Sequence, residues 1–221
     1  MAGLVTRDWH EWYRDYDDPA SSLSARLAVV RSQLAALLAA AAPGPVRLLS
    51  LCAGDGRDTL PVVAESGAEV SAVLVELDGE LASAARRSAA QLGLAGVEVR
   101  TADAGDTTCA AGGVPADVVM ACGIFGNVTD DDIARTVDTL PSLLAPGGVV
   151  VWTRGCRSPE DPSDWEGDPA EHVRSLFAAA GFEEVEFVRP EERSFRVGVH
   201  RWPGPPAAYR PGTRMFEFVG S

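Results

Sequence analysis

The chain has 221 residues, a formal net charge of −13, 46% apolar and 23% charged residues. This suits one globular domain with a substantial core and disfavours a nucleic-acid phosphate backbone as partner. Apart from the histidines every basic residue is arginine, so no P-loop lysine, Schiff-base lysine or lysine general base exists. Cys52, Cys109, Cys122 and Cys156 are widely spaced, and with His10, His172 and His200 they form neither a disulfide framework nor metal-site spacing.

The chain opens without a signal-like apolar core, and no run approaches the length of a membrane span, so the expectation is a cytoplasmic protein with no membrane partner. Residues 8–19 interleave charges with Trp9, Trp12, Tyr13 and Tyr16. The segment is too polar for a core helix and too aromatic for a disordered tail. It reads as a flap over a site, as an amphipathic helix packed on the domain, or as both.

Ser22 or Ser24 caps a long helix reaching about Ala42, with Leu23, Leu27, Val30, Leu34, Leu37 and Leu38 at helical spacing. Pro43-Gly44-Pro45 ends it, and the apolar run Val46–Leu51 is the first strand. The turn Cys52-Ala53-Gly54-Asp55-Gly56 has little side-chain bulk, and a helix follows it to about Gly67. A strand handing over to a helix through such a turn lets a ligand approach the backbone closely. An ordinary βα turn needs small residues too.

Val70–Glu76 is the second strand, Asp78–Gly93 a helix and Val97–Thr101 the third strand, followed by Ala102-Asp103-Ala104. Asp117–Cys122 is the fourth strand; Thr129 caps a helix to Leu144, and Pro146-Gly147-Gly148 turns into the fifth strand, Val149–Thr153. Strand–helix alternation of this kind predicts an α/β fold with a doubly wound, mostly parallel sheet. A helix over Pro169–Ala180 then precedes Glu183–Val188 and Phe195–Trp202, which read as an antiparallel hairpin at the sheet's end. Met215–Val219 reads as a further edge strand.

Two cofactor classes use such a first turn, dinucleotides and S-adenosylmethionine. Arg57-Asp58-Thr59 follows Gly56, so the third glycine of the dinucleotide fingerprint is missing. Asp55 would also repel a pyrophosphate, whereas an adenosyl sulfonium has no phosphate.

With Leu51–Gly56, Val73–Asp78, Ala102–Ala104, Asp117–Gly123 and Leu143–Gly148 in order, the chain resembles the class I S-adenosylmethionine-dependent methyltransferases over roughly residues 48–202. The resemblance implies a Rossmann-like seven-stranded sheet with its last strand antiparallel, over residues 46–221, behind an N-terminal helical lid or extension, residues 1–45. It implies S-adenosylmethionine as cofactor, S-adenosylhomocysteine as product and a small-molecule acceptor methylated on oxygen or nitrogen, in a monomer or homodimer. Ser50, Cys52, Ala53, Gly54, Asp55, Gly56 and Asp58 would line the cofactor's first turn. Glu76 would bind the ribose hydroxyls, with Leu77 as an apolar wall. Asp103 and Ala104 would meet the adenine, and Cys122 and Gly123 would close the site. Tyr13 and Tyr16, with Arg26 or Arg14, would reach the methionine carboxylate.

The family commonly has an acid where Ser50 stands and glycine where Cys52 stands; Asp55, Asp58 or the N-terminal acids can take over the ammonium. The tetrapeptide of nucleic-acid and glutamine amino-group methylation is absent; Cys122-Gly123-Ile124-Phe125 takes its place. His10 is a candidate general base or a surface histidine. Trp9, Trp12, Phe125, Asn127, Arg154 and Trp165 are candidates for the acceptor pocket; Arg154 would bind a carboxylate through its fork, or form a salt bridge. A non-catalytic cofactor-binding protein and, more remotely, a nicotinamide-dependent oxidoreductase compete with this reading.

Overall fold

A computed structural model describes residues 15–156, 161–205 and 207–219. Its seven strands are β1 (Val46–Leu51), β2 (Val70–Glu76), β3 (Val97–Thr101), β4 (Ala116–Ala121), β5 (Leu144–Gly155), β6 (Glu183–Val188) and β7 (Phe195–Arg201). They form a single sheet in the order β3-β2-β1-β4-β5-β7-β6. Pairing is parallel from β3 to β5, and β7 inserts antiparallel between β5 and β6. This is the class I methyltransferase fold, with its strand order reversing between β1 and β4, where such sheets open a crevice at their carboxyl edge.

Alternation along the central strands divides the core into two layers. Leu48, Leu74, Val118 and Val151 face one layer, and Leu49, Val73, Val119 and Val150 the other. The first layer is completed by α1 (Ser22–Ala40), α2 (Leu60–Ser66) and α3 (Gly79–Gln91). The second is completed by α4 (Asp130–Thr139) and α5 (Pro169–Ala179). Trp152 belongs to this second layer, stacked on Phe177 at 5.8 Å and donating its indole N–H to His200 Nδ1 at 3.0 Å.

Local chemistry sets the helix ends. Asp78 accepts from the amides of Glu80 and Leu81, Thr129 from Asp132, and Asp168 from Ala170. The cap of α1 is Ser21, which accepts from Ser24, and not the expected Ser22 or Ser24. By length and composition α1 could cross a membrane, which corrects the expectation that no run reaches that length. Its Val30, Leu34 and Leu38 are buried on the sheet, and Arg31 donates to the Arg57 carbonyl at 2.7 Å.

Three further expectations are corrected. Helix α2 starts at Leu60, because residues 52–59 are spent on the turn. Strand β5 starts at Leu144, with Pro146-Gly147-Gly148 taken up in a bulge, since the register jumps from Ala116↔Leu144 to Val118↔Val149. Met215–Val219 is no strand: only the bridge Asp106↔Arg214 forms, and Met215 and Phe216 are buried among loops.

Candidate functional site

The turn after β1 has a demanding backbone. Cys52, Gly54 and Gly56 take φ values of 53°, 57° and 76°. This left-handed region costs a side-chain-bearing residue about 1–2 kcal/mol, so the glycines fit it and Cys52 is strained in it. The turn is closed by Gly56 N–H donating to the Ala53 carbonyl at 2.9 Å and Leu60 N–H to the Gly56 carbonyl at 2.8 Å.

Glu76 ends β2 beside this turn. Its Oε2 accepts from the Gly54 amide at 2.7 Å and its Oε1 from the Asp78 amide at 2.8 Å. Both oxygens are thereby aimed, and each retains an acceptor site for a ligand. Burial raises its pKa above the ordinary 4.5, against the pull of those amides. Leu77, next along the chain, is 65% exposed, an apolar side chain left at the rim.

Beside this turn opens a cleft of about 330 Å³. From the β1 turn it takes Cys52, Ala53, Arg57 and Asp58. From the β2 and β3 ends it takes Glu76, Leu77, Asp78, Asp103 and Ala104, and from the β4 end Cys122 and Gly123. Tyr16, Arg26 and Leu27 enter from the N-terminal side, Leu81 from α3 and Phe218 from the C-terminal segment.

The cleft is electrostatically divided. Cys52 lies in the field of Glu76 and Asp103, and Cys122 in that of Asp58 and Arg26. Burial, then these acids, raises both thiols above their ordinary pKa, so neither is a thiolate at neutral pH. Burial also raises the Asp58 carboxyl, although Thr59 donates to it at 3.0 Å. Arg26 donates to the Tyr16 phenol oxygen at 2.7 Å, and burial keeps that phenol above its ordinary pKa. Arg57 lies 4.6 Å over the Tyr16 ring.

Several expected site residues stand elsewhere. Asp55 does not line the cleft and pairs with Arg57 at 2.6 Å. Ser50 is buried within β1, and Gly54 and Gly56 contribute backbone geometry without lining the cleft. Phe125 is fully buried in the core against Trp152, at 6.1 Å. Asn127 uses its amide on the Gly123 carbonyl at 2.8 Å, and its own carbonyl accepts from Val219 N–H at 2.9 Å.

Arg154 is 2% exposed and paired with Asp161 at 2.6 Å, so it is neither an open carboxylate site nor a surface bridge. Trp165 is 41% exposed and stacks on His172 at 4.4 Å, outside the cleft. Trp9, His10, Trp12, Tyr13 and Arg14 lie outside the described residues.

Leu27, Arg57, Asp78, Leu81 and Phe218 line the cleft without having been singled out for it. Asp78 has a readable signal, being two residues beyond the strand-end acid. Phe218 has none, because its short apolar run also fits a strand.

The reversal of strand order, the strand-end acid and the adjoining turn define a crevice at the carboxyl edge of a doubly wound sheet, where ligands of such sheets bind. Residues 48–148 match a family model described as a methyltransferase domain. Comparison with curated protein sequences gives no match.

Among solved structures, magnesium protoporphyrin IX methyltransferase (ChlM) from Synechocystis PCC 6803, with bound SAH, is similar at a TM-score of 0.65 and 15% identity, over 87% of this chain and 93% of that one. An O-methyltransferase family 2 protein from Planctomyces limnophilus in complex with apigenin gives 0.59 and 20%, over 81% and 58%. The [4+2]-cyclase SpnF gives 0.58 and 18%, over 77% and 81%. At these identities the likeness speaks to the fold alone.

Proposed function

We propose that the cleft binds S-adenosylmethionine and that the protein transfers its methyl group to an oxygen or nitrogen of a small molecule. The observation that carries this is Glu76, held by the Gly54 and Asp78 amides with acceptor capacity to spare, in one cleft with Asp103 and the charged pair Asp58 and Arg26. A buried carboxylate fixed in this way suits two vicinal ribose hydroxyls. The exposed Leu77 offers the adenine an apolar wall, and Asp103 an acceptor for its amino group. Asp58 and Arg26 match the ammonium and carboxylate of a methionine tail, so Asp58 fills the role left by Ser50. No phosphate-binding side chain is needed.

When bound, the cofactor supplies an electrophilic methyl group on a sulfonium. The chain's own part is positioning, which can contribute ~7–11 kcal/mol to such a transfer. A general base would add ~10²–10⁴ in rate where the acceptor must lose a proton. The neutral thiols of Cys52 and Cys122 do not compete as nucleophiles. Trp9–Tyr16 forms the lid in this reading, with His10 as candidate base; the place of Tyr16 in the cleft wall supports it.

A small-molecule acceptor fits the acidic balance, −13 overall, the magnesium protoporphyrin IX in the name of one structural neighbour, and the apigenin bound to another. The cyclase among the neighbours is a reminder that fold alone does not specify the reaction.

Calorimetry tests the cofactor reading. Micromolar binding of SAM and SAH, on the order of −8 kcal/mol, is expected. No heat with either, alongside binding of a nicotinamide dinucleotide, contradicts it. Methyl transfer from labelled cofactor to nucleic acid or protein, with none to phenols or amines, would contradict the acceptor class.

A further inference from the structure

We infer that the C-terminal segment Thr213–Phe218 is part of the adenosine pocket: Arg214 is a positioning residue for the Asp103 carboxylate, and Phe218 is a wall against the base. This rests on the cofactor reading above and names residues for it that come from outside the strand-end loops.

The segment runs across the carboxyl edge of the sheet. Thr213 N–H donates to Thr107 Oγ1 at 2.9 Å and Met215 N–H to the Gly105 carbonyl at 2.7 Å, both beyond β3. Thr136 of α4 donates to the Met215 carbonyl at 3.2 Å, and Val219 N–H reaches the Asn127 carbonyl beyond β4 at 2.9 Å. The segment therefore joins the loop carrying Asp103 and Ala104 to the loop that follows Cys122 and Gly123.

Arg214 donates to Asp103 Oδ2 at 2.5 Å, while Gly105 N–H holds Oδ1 at 2.8 Å. The two side chains are 41% and 48% exposed. An ion pair so open to solvent contributes little to stability. Burial of Met215 and Phe216 is what holds the segment down. What Arg214 does accomplish, together with the Gly105 amide, is to fix both oxygens of a carboxylate that lines the cleft, leaving each an acceptor site.

Gly105 is matched to this arrangement. A Cβ there would overlap the Phe216 carbonyl oxygen and crowd both Arg214 and Asp103. Phe218 lines the same cleft as Leu77 and Asp103, its ring set 5.6 Å from Phe216 at an interplanar angle of 67°.

The test is calorimetry on the full chain with SAH and with S-inosylhomocysteine, which has a 6-oxo group where adenine has its amino group. Arg214→Ala should bind SAH about tenfold more weakly, the size of one lost hydrogen-bonding arrangement, and lose much of the preference for SAH over the oxo analogue. Arg214→Lys should recover part of that preference. Phe218→Ala should weaken both ligands alike, on the order of tenfold, because a stacking wall does not distinguish the bases. The melting temperature of Arg214→Ala should stay near that of the wild type.

Wild-type affinity and preference in both variants would overturn the inference. So would a lowered melting temperature with affinity and preference intact, since that marks a purely structural tie. A wild-type chain that binds neither ligand would instead bring down the cofactor reading, and this inference with it.

Discussion

Cys52 holds a left-handed backbone where related turns use glycine, and the strain has a measurable signature. Valine is similar in size and apolar, but β-branching makes φ = 53° an outlier. Cys52→Val should therefore add to the strain that Cys52 already carries and lower the melting temperature. Cys52→Gly should fold with little change, losing thiol packing while relieving the strain. Equal melting temperatures for the valine and glycine variants would show that the turn is not strained.

Glu76 supports two further predictions. Glu76→Ala should weaken SAH binding by roughly 1.5–3 kcal/mol, the range for hydrogen bonds to a charged group. Its pKa is raised by burial above the ordinary 4.5. The folded free protein thus binds more protons than the unfolded chain just above that value, and this group's contribution to stability falls as pH rises through the window. Ligand binding has the opposite sign, because the ribose needs the ionised carboxylate. SAH affinity should therefore fall on acidification, with a midpoint above the ordinary glutamate value. A titration by calorimetry showing affinity that stays flat on acidification of the folded protein would exclude Glu76 as the ribose acceptor.

At the scale of elements, what the sequence made legible was whatever a period or a turn residue marks. β1, β2, β3 and β6 have the expected ends, because each is an apolar or alternating run bounded by turn residues. The caps Asp78 and Thr129 are also where the sequence puts them. Long-range bonding decided the rest. Nothing local says that Met215–Val219 will spend its hydrogen bonds on Gly105, Asp132, Thr136 and Asn127. Nor does composition show that Phe125 faces Trp152 while Phe218 faces the cleft. The strand-end acids were legible as a site because they recur where parallel strands stop.

Helix α1 serves core and site together. Leu34, fully buried, should cost about 2–5 kcal/mol on replacement by alanine. Arg26→Ala should leave the melting temperature nearly unchanged while weakening SAH binding, since its guanidinium faces the cleft. Thermal melts paired with calorimetry separate these effects, and a large stability loss in Arg26→Ala would assign it to the scaffold. Deleting residues 1–18 extends the test to the lid. Weakened cofactor binding and no turnover in a folded core is expected, against a lower melting temperature with affinity intact for a helix that merely staples the sheet.

For the whole molecule, the reversal of the sheet between β1 and β4 brings four loop ends to one edge, and the N- and C-terminal segments meet there as well. The cleft is thus assembled from segments separated by two hundred residues of chain, Tyr16 to Phe218. In the function proposed above, this edge holds an adenosyl ligand by its ribose at Glu76. A crystal structure of the complex with SAH is the decisive measurement. Both ribose hydroxyls are expected within hydrogen-bond distance of the Glu76 carboxylate, the adenine beside Leu77 and Asp103, and the amino-acid tail toward Asp58 and Arg26. A ligand seated elsewhere, or one in this cleft with its ribose away from Glu76, would contradict it.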